Sequence, residues 1–192
     1  MGDGHFRQEL ELLENGRLPD PPVSSGEAWL TLAQRYAYVF PDDRALALLA
    51  RLGPLVEIGA GTGYWAHRLR LVGADIVAFD QAPVDGERVN RYHPPARPWT
   101  EVEPGDQAIL PGYPDRCLFL CWPPLYSSLG DCLTYYHGDT VAYIGDEGCR
   151  TARLDHLHET FTQTAALPVR ALDPCPDVPP RLTVWNRTIR SN

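Results

Sequence analysis

The hydrophobic and polar positions of the chain follow two periods from residue 55 onwards. Short, fully apolar runs predict buried strands, and stretches with apolar residues three and four positions apart predict helices. The predicted strands are 55–58, 75–79, 100–102, 117–121, 140–144, 169–172 and 182–185, and the predicted helices are 64–71, 129–136 and 151–161. Strands that alternate with helices indicate a parallel sheet with both faces covered. The pattern predicts a three-layer α/β sandwich on a mostly parallel sheet of about seven strands.

The residues before the sheet have helical spacing that is interrupted by prolines. One helix is predicted near the N-terminus, and two more are predicted over 28–38 and 45–52. Asp42 precedes the last of these at a position typical of a helix N-cap. We interpret 1–52 as a helical lid or cap and 53–192 as the α/β core of a single domain.

Composition narrows the class of protein. The chain has 192 residues, of which 44% are hydrophobic, enough for one domain with a real core. No apolar run approaches the ~20 residues that cross a bilayer, and the N-terminus lacks a signal-peptide pattern. We therefore expect a cytoplasmic protein without a membrane partner. The net charge of −8 opposes nucleic-acid binding, which depends on phosphate neutralisation.

Two residue types add to this picture. All 17 basic residues are arginine, which is typical of a GC-rich bacterial coding sequence and excludes lysine Schiff-base chemistry. The cysteines are odd in number and lack the paired CxxC spacing of zinc sites; they are Cys117, Cys121, Cys132, Cys149 and Cys175. In a cytoplasmic chain they predict reduced thiols, with neither a disulfide framework nor a metal site.

A glycine-rich segment stands where the first predicted strand ends and the next helix begins. It reads Glu57-Ile58-Gly59-Ala60-Gly61-Thr62-Gly63. Glycines there permit a tight turn and the close approach of a ligand, and a helix amino terminus offers N–H groups to an anion. A dinucleotide-binding GxGxxG motif needs a glycine at residue 64, which is Tyr64. The segment therefore favours another nucleoside ligand over NAD, with a plain glycine turn as the alternative.

Asp80 ends the second predicted strand, about 20 residues after the glycine segment. A carboxylate at that position can accept two hydrogen bonds from a ribose diol. An isolated strand-terminal aspartate is more often a turn residue, but its position after this loop favours the ribose role. Both interpretations of the glycine segment predict such an acid, so Asp80 does not distinguish between them.

Three segments resemble class I, Rossmann-like, S-adenosylmethionine-dependent methyltransferases, and in particular a small, little-characterised family of that class. They are 35–41, Val56-Glu57-Ile58-Gly59-Ala60-Gly61-Thr62-Gly63-Tyr64-Trp65-Ala66 and Leu120-Cys121-Trp122-Pro123-Pro124. The resemblance spans residues 35–160 and implies S-adenosylmethionine as the cofactor. The cofactor-binding residues that it implies are Tyr38, Glu57, Gly59, Ala60, Gly61, Thr62, Gly63, Tyr64, Trp65, Asp80, Gln81, Asp106, Gln107 and Cys121.

Two of these roles have plain alternatives. By resemblance, Asp106 lies near the adenine amino group, with Gln107 as a second candidate, but Pro104-Gly105 is also an ordinary turn dipeptide. The aromatic segment with Tyr38 is expected to fold over the cofactor as a lid, or to belong to a helix core.

The methyl acceptor is expected beside Trp122, Pro123 and Pro124, which follow the predicted fourth strand at the edge where such sheets bind ligands. The position resembles the (Asp/Asn)-Pro-Pro-aromatic motif of amine N-methyltransferases, with Trp122 in place of the polar residue and Leu125 in place of the aromatic. A strand-ending diproline with a core tryptophan is the alternative interpretation.

Further residues complete the predicted transfer site. Trp122 and Pro123 are expected at the reacting atoms, with Glu147 as a base or amine holder, although a turn acid is the alternative. Tyr126 is expected to stack on a planar substrate, and His93 to lie beside the substrate in an arginine-rich loop that is otherwise a solvated surface.

These features together predict methyl transfer from S-adenosylmethionine to the nitrogen or oxygen of a small molecule. The displacement is in line, so the protein chiefly aligns the reactants and excludes water. One alternative is a base or amine N-methyltransferase that acts on nucleic acid, and another is a catalytically inactive, cofactor-binding partner subunit. The acceptor, the need for a base and the oligomeric state stay open, a homodimer being one option.

Overall fold

The computed structural model describes residues 27–94, 97–146, 148–171 and 177–188. Its seven strands are β1 (Leu55–Ile58), β2 (Ile76–Asp80), β3 (Glu103–Pro104), β4 (Cys117–Cys121), β5 (Thr140–Gly145), β6 (Phe161–Pro168) and β7 (Arg181–Arg187). Its helices are α1 (Glu27–Arg35), α2 (Asp43–Ala50), α3 (Tyr64–Leu71), α4 (Cys132–Tyr135) and α5 (Leu157–Thr160), with 3-10 turns at Gln107–Gly112 and Ser128–Asp131. The helix predicted near the N-terminus lies outside the described residues.

The strands form one sheet in the order β3-β2-β1-β4-β5-β7-β6. The first five are parallel to their neighbours, and β7 is antiparallel to β5 and β6. Leu55 of β1 lies opposite Ile76 of β2 and Cys117 of β4, so the carboxyl ends of these strands reach the same edge. The predicted α/β sandwich with a mostly parallel, seven-stranded sheet is confirmed.

Alternate side chains of each strand bury two separate cores, as the period of a strand requires. In β4, Phe119 faces the core beneath α2 and α3, whereas Leu118 and Leu120 face the opposite core. The ring of Trp65 in α3 packs at 66° against Phe119, with 5.5 Å between the ring centroids. Asp42 caps α2 as predicted, since its carboxylate accepts from the N–H of Ala45 at 2.8 Å.

The chain after β5 departs from the prediction. The apolar spacing over 151–161 predicts a helix, but only Leu157–Thr160 is helical, and β6 begins directly at Phe161. The sixth strand is predicted over 169–172, but it lies at Phe161–Pro168 instead. Pairing of β6 with β7, with a register shift between Gln163 and Ala165, outweighs the local helical spacing, as tertiary contacts often do. The third strand lies at Glu103–Pro104 rather than over 100–102.

The prediction of reduced cysteines is wrong for Cys149, which is disulfide-bonded. Cys117, Cys121 and Cys132 are free thiols, and Cys175 lies outside the described residues. Within the part of the chain that the structure describes, no helix has the length and apolarity needed to cross a membrane. The same residues contain no group of three or more histidine, cysteine or acidic side chains placed to hold a metal ion.

Candidate functional site

The candidate site lies at the carboxyl edge of the sheet, between β1 and β4. The strand order runs outward from β1 through β2 on one side and from β4 through β5 on the other. Open α/β sheets bind ligands in the crevice at such a switch point. The glycine segment 59–63 leaves β1 at this point, and Trp122 leaves β4 beside it.

The glycine segment, here called the glycine loop, folds tightly onto the end of β2. The N–H groups of Gly59 and Ala60 both donate to the carbonyl of Phe79, and that of Gly63 donates to Ala60. The N–H of Gly61 donates to the carboxylate of Asp80 at 2.8 Å. These four N–H groups have partners in the protein, and cofactor binding by the loop stays a prediction.

Protein side chains pack directly on the glycines. Gly61 has φ +56, and a Cβ there would lie 2.5 Å from Nε2 of His93. Gly59 has φ +75, and a Cβ there would lie 2.9 Å from Leu129. Glycine is therefore required at both positions for its backbone conformation and for the close approach of these side chains.

We expect Gly61→Ala to destabilise the protein more than Gly53→Ala. Both glycines have positive φ, but a Cβ at Gly53 would meet no atom within 4 Å. The control variant Gly53→Ala therefore has the backbone strain of ~1 kcal/mol but no steric clash. The Gly61→Ala variant has both the strain and the clash. Urea unfolding of the two variants measures the difference. Equal losses would show that His93 does not pack on the loop in solution.

Glu57 lies directly before the glycine loop and is 2% exposed. Burial raises the pKa of its carboxyl to about 8, helped by the nearby charge of Asp80 and opposed by Arg70 and by the N–H of Ala66. Its Oε2 has no hydrogen-bond partner among the described residues. A buried acceptor without a partner is costly, so Glu57 is the feature of this edge that most clearly suits a ligand with donor groups or positive charge.

Cys121 ends β4 close to Glu57. Burial raises the pKa of its thiol well above the usual value, and the charge of Glu57 adds to the shift. The thiol is therefore protonated at neutral pH, and it lies close to Glu57 as a small apolar group.

Asp80 holds the glycine loop as well as facing the site. Its Oδ2 accepts from Gly61, and its Oδ1 accepts from the N–H of Ala82 at 2.9 Å and from Asn90 at 3.4 Å. Burial raises the pKa of this carboxyl, and the two backbone hydrogen bonds oppose the rise. A carboxylate has about four acceptor positions, so one remains for the predicted ribose contact. Its neighbour Gln81 is exposed.

Three of the predicted cofactor contacts have side chains directed into the protein. Tyr64 is 3% exposed and packs edge-on to Tyr36. Trp65 is equally buried, and its indole donates to the carbonyl of Val39 at 2.9 Å. The hydroxyl of Thr62 donates to the carbonyl of Tyr36. The side chains of all three therefore contact protein groups in this structure, and their cofactor contacts stay a prediction.

The residues predicted at the adenine end have structural partners. Asp106 caps the 3-10 turn and accepts from the N–H of Ala108 at 2.9 Å. Gln107 is buried, and it accepts from Ser128 at 3.3 Å and reaches Asp131 at 3.5 Å. These contacts are those of a capped turn, and an adenine contact of either residue stays a prediction.

The aromatic side chains of the segment before the sheet point in two directions, as expected for residues two positions apart. Tyr36 and Phe40 lie in a buried aromatic cluster with Tyr64. Tyr38 points elsewhere: its ring packs edge-on to His93 at 5.9 Å, and its hydroxyl donates to the carbonyl of Tyr92 at 3.4 Å. Tyr36 contacts the glycine loop through its carbonyl, which accepts from Thr62, and Tyr38 lies near the loop through its contact with His93; the lid role stays a prediction.

The turn after β4 is fixed by backbone contacts. Trp122 has φ +55, donates its N–H to the carbonyl of Ile144 at 2.8 Å and packs its half-buried ring against the core beneath α3. Pro123 is buried and accepts from Ala152 at 2.9 Å, and Pro124 forms a bridge to Thr151. Tyr126 is 96% exposed, and its stacking on a planar substrate stays a prediction.

Asp146 is a candidate that the sequence pattern did not single out. It follows β5 at the same edge and is buried. Its Oδ1 accepts from the N–H groups of Arg150 and Thr151 and from the Thr151 hydroxyl, whereas its Oδ2 has no partner among the described residues. The sequence prediction fell instead on Glu147, which lies outside the described residues. The end of the apolar run at Gly145 was the available signal.

The comparisons with known proteins identify no family for this chain, so a functional proposal has to rest on the geometry of the site. No protein-family model matches the chain, and no curated protein matches it. Among solved structures, a mutant of MtNAS is similar at 15% sequence identity, with 96% of this chain and 72% of that chain covered and a TM-score of 0.47. A likeness of this degree carries no residue, ligand or activity over to this chain.

Proposed function

We propose that the chain binds S-adenosylmethionine on the glycine loop and transfers the methyl group to the nitrogen or oxygen of a small molecule beside Trp122. The observation that carries this proposal is the pairing of the glycine loop with Glu57 at the switch point between β1 and β4. The loop lies at the edge where open α/β sheets bind ligands, and Glu57 offers a buried oxygen that has no partner among the described residues.

The same edge is poorly suited to a dinucleotide. Tyr64 fills the position of the third glycine, and its buried ring holds the start of α3 against Tyr36. The sheet also departs from the dinucleotide-binding order 3-2-1-4-5-6, because the antiparallel β7 lies between β5 and β6.

The residues present fit this cofactor in charge and hydrogen bonding. S-adenosylmethionine supplies a methyl group already activated by a sulfonium. Glu57 can stabilise positive charge near the loop, and the remaining acceptor position of Asp80 can hold a hydroxyl. His93 and Leu129 lie on the loop, so a ligand bound there contacts both side chains.

The transfer site in this proposal lies between Trp122 and Asp146. The half-buried ring of Trp122 forms an apolar wall that excludes water. The Oδ2 of Asp146 has no partner among the described residues, and the segment after β5 is held to the turn at Trp122 by the hydrogen bond from the N–H of Ala152 to the carbonyl of Pro123. Methyl transfer chiefly requires that the protein align the donor and the acceptor. The proposal therefore assigns no acid or base other than these residues.

We expect the protein to bind S-adenosylmethionine and S-adenosylhomocysteine at least about tenfold more tightly than NAD, a difference of about 1.4 kcal/mol. Calorimetric titration with the three ligands measures this. Asp80→Ala removes the acceptor that orders Gly61, and it should weaken the binding of both S-adenosylmethionine and S-adenosylhomocysteine. Tighter binding of NAD would contradict the proposal.

Incubation with labelled methyl donor and a metabolite mixture then identifies the acceptor. Binding of the donor without any methyl transfer would favour the alternative of an inactive partner subunit.

A further inference from the structure

His93 occupies an unusual position for a residue in a connection between strands. It lies between β2 and β3, yet it is 8% exposed. Its Nε2 lies 2.5 Å from the position that a Cβ on Gly61 would take. The imidazole is therefore in contact with the backbone of the glycine loop, and a ligand on that loop meets this ring.

The hydrogen bonding of the ring fixes its tautomer. Nδ1 lies 2.9 Å from the carbonyl oxygen of Gln34. A carbonyl can only accept, so Nδ1 carries the hydrogen. In the neutral ring Nε2 is then an acceptor. Among the described residues, Nε2 has no hydrogen-bond partner.

The backbone around His93 is also held in place. The N–H of His93 donates to the side-chain oxygen of Asn90 at 3.0 Å. The amide nitrogen of Asn90 donates in turn to the carbonyl of Ala82 at 2.7 Å and to Asp80 at 3.4 Å. The backbone of His93 is thus tied through Asn90 to Asp80, whose carboxylate orders Gly61, whereas the side chains of Arg88 and Arg91 nearby are exposed.

The groups that face the imidazole are Asp80 at the end of β2, the ring of Tyr38 and the Gln34 carbonyl. Burial lowers the pKa of His93, and the Gln34 hydrogen bond and Asp80 oppose this. The ring is neutral at neutral pH and gains its charge on acidification. Glu57 and Asp80 titrate at the same edge, so a test has to separate their effects from that of His93.

We propose that Nε2 of His93 accepts a hydrogen bond from the ligand on the glycine loop, and that protonation of the ring selectively weakens binding of the cationic methyl donor. The inference rests on the proposed function. S-adenosylmethionine carries a sulfonium, whereas S-adenosylhomocysteine has a neutral thioether and otherwise the same polar groups. A charged imidazole repels the first ligand more than the second.

The experiment compares the affinities of the two ligands at about pH 7.5 and about pH 5, above and below the ordinary pKa of histidine. In the wild type, acidification should lower the ratio of S-adenosylmethionine to S-adenosylhomocysteine affinity at least about tenfold more than in His93→Gln. Glutamine keeps an acceptor near the position of Nε2 but cannot be protonated. Both proteins retain Glu57 and Asp80, so the difference isolates the imidazole.

His67→Gln is the matched control. His67 also has a pKa lowered by burial, but its ring lies beside Trp99 on α3. This variant should keep the pH response of the wild type. Circular dichroism and melting temperature at both pH values confirm that each variant is folded.

Two results would overturn the inference while leaving the proposed function intact. One is the same pH response in wild type and His93→Gln. The other is tighter binding of both ligands to His93→Gln, which would show that the ring only covers the loop. Failure of the wild type to bind either ligand at any pH would overturn the proposed function and this inference together.

Discussion

Replacing Glu57 with glutamine is expected to make the protein several kcal/mol more stable than the wild type at alkaline pH. The reason is the burial of the carboxyl: its pKa in the folded protein is about 8, compared with an ordinary value of 4.5. The folded state therefore holds a proton at pH values where the unfolded state has already released it. Glutamine is a neutral isostere of the protonated acid and can keep the hydrogen bond from Ala66.

The sign and range of the effect follow from proton linkage. Because the folded pKa lies above the unfolded one, the folded state binds more protons between these values, and stability falls as the pH rises through that window. Each pH unit inside it costs about 1.4 kcal/mol. The loss is complete above the folded pKa and absent below the unfolded one. Glu57→Gln should remove most of this slope.

Urea unfolding at about pH 5 and about pH 9 tests the expectation, since these values lie near the two ends of the window. Glu87→Gln provides the control, because Glu87 is exposed and its loss changes the net charge by the same amount. The control should follow the wild-type curve. Parallel pH curves for Glu57→Gln and the wild type would show that the carboxyl is not buried in solution.

A carboxyl this costly at neutral pH needs a compensating role. If the proposed cofactor binds on the glycine loop, its positive charge stabilises the ionised form of Glu57. Binding then offsets part of the free energy that burial of the ionised carboxyl costs. This makes Glu57 a link between the stability of the protein and the proposed function.

The sequence predicts the central part of this fold well because its signals there are local. The bounds of α3 and β4 agree with the predicted ranges 64–71 and 117–121, since each is a continuous pattern that ends at a clear break. The Asp42 cap and the glycine loop after β1 are equally local. Strand–loop–helix junctions of this kind carry their own conformational requirements.

The remainder depends on contacts that are distant in the chain. The contact of Leu129 with Gly59 joins residues 70 positions apart, and no pattern in either segment predicts it. The strand β6 exists because β7 pairs with it, against a helical spacing. The side chain of Asp146 is directed inward by the turn after β5, and its orientation is set by Thr151, five residues further on.

Trp122→Ala is expected to reduce turnover by at least about a hundredfold while leaving the affinity for S-adenosylmethionine within a few fold, because lost alignment and water exclusion act on the transfer step. Trp122 follows the central strand β4, and its ring is only partly buried against the core. A fully buried tryptophan costs ~3–5 kcal/mol on truncation to alanine. The half-buried ring should cost less, and the variant should remain folded.

The backbone at this position allows a sharper comparison. Trp122 has φ +55, a left-handed conformation that strains alanine and tryptophan but not glycine. Trp122→Gly and Trp122→Ala lose the same ring, and the glycine variant avoids strain of ~1 kcal/mol. If the ring serves the transfer step, both variants lose turnover equally although the glycine variant melts at a higher temperature. Turnover is measured with the acceptor that the labelled-donor screen identifies. Recovery of turnover in step with stability, or normal turnover in the folded fraction of either variant, would show that Trp122 only packs the core.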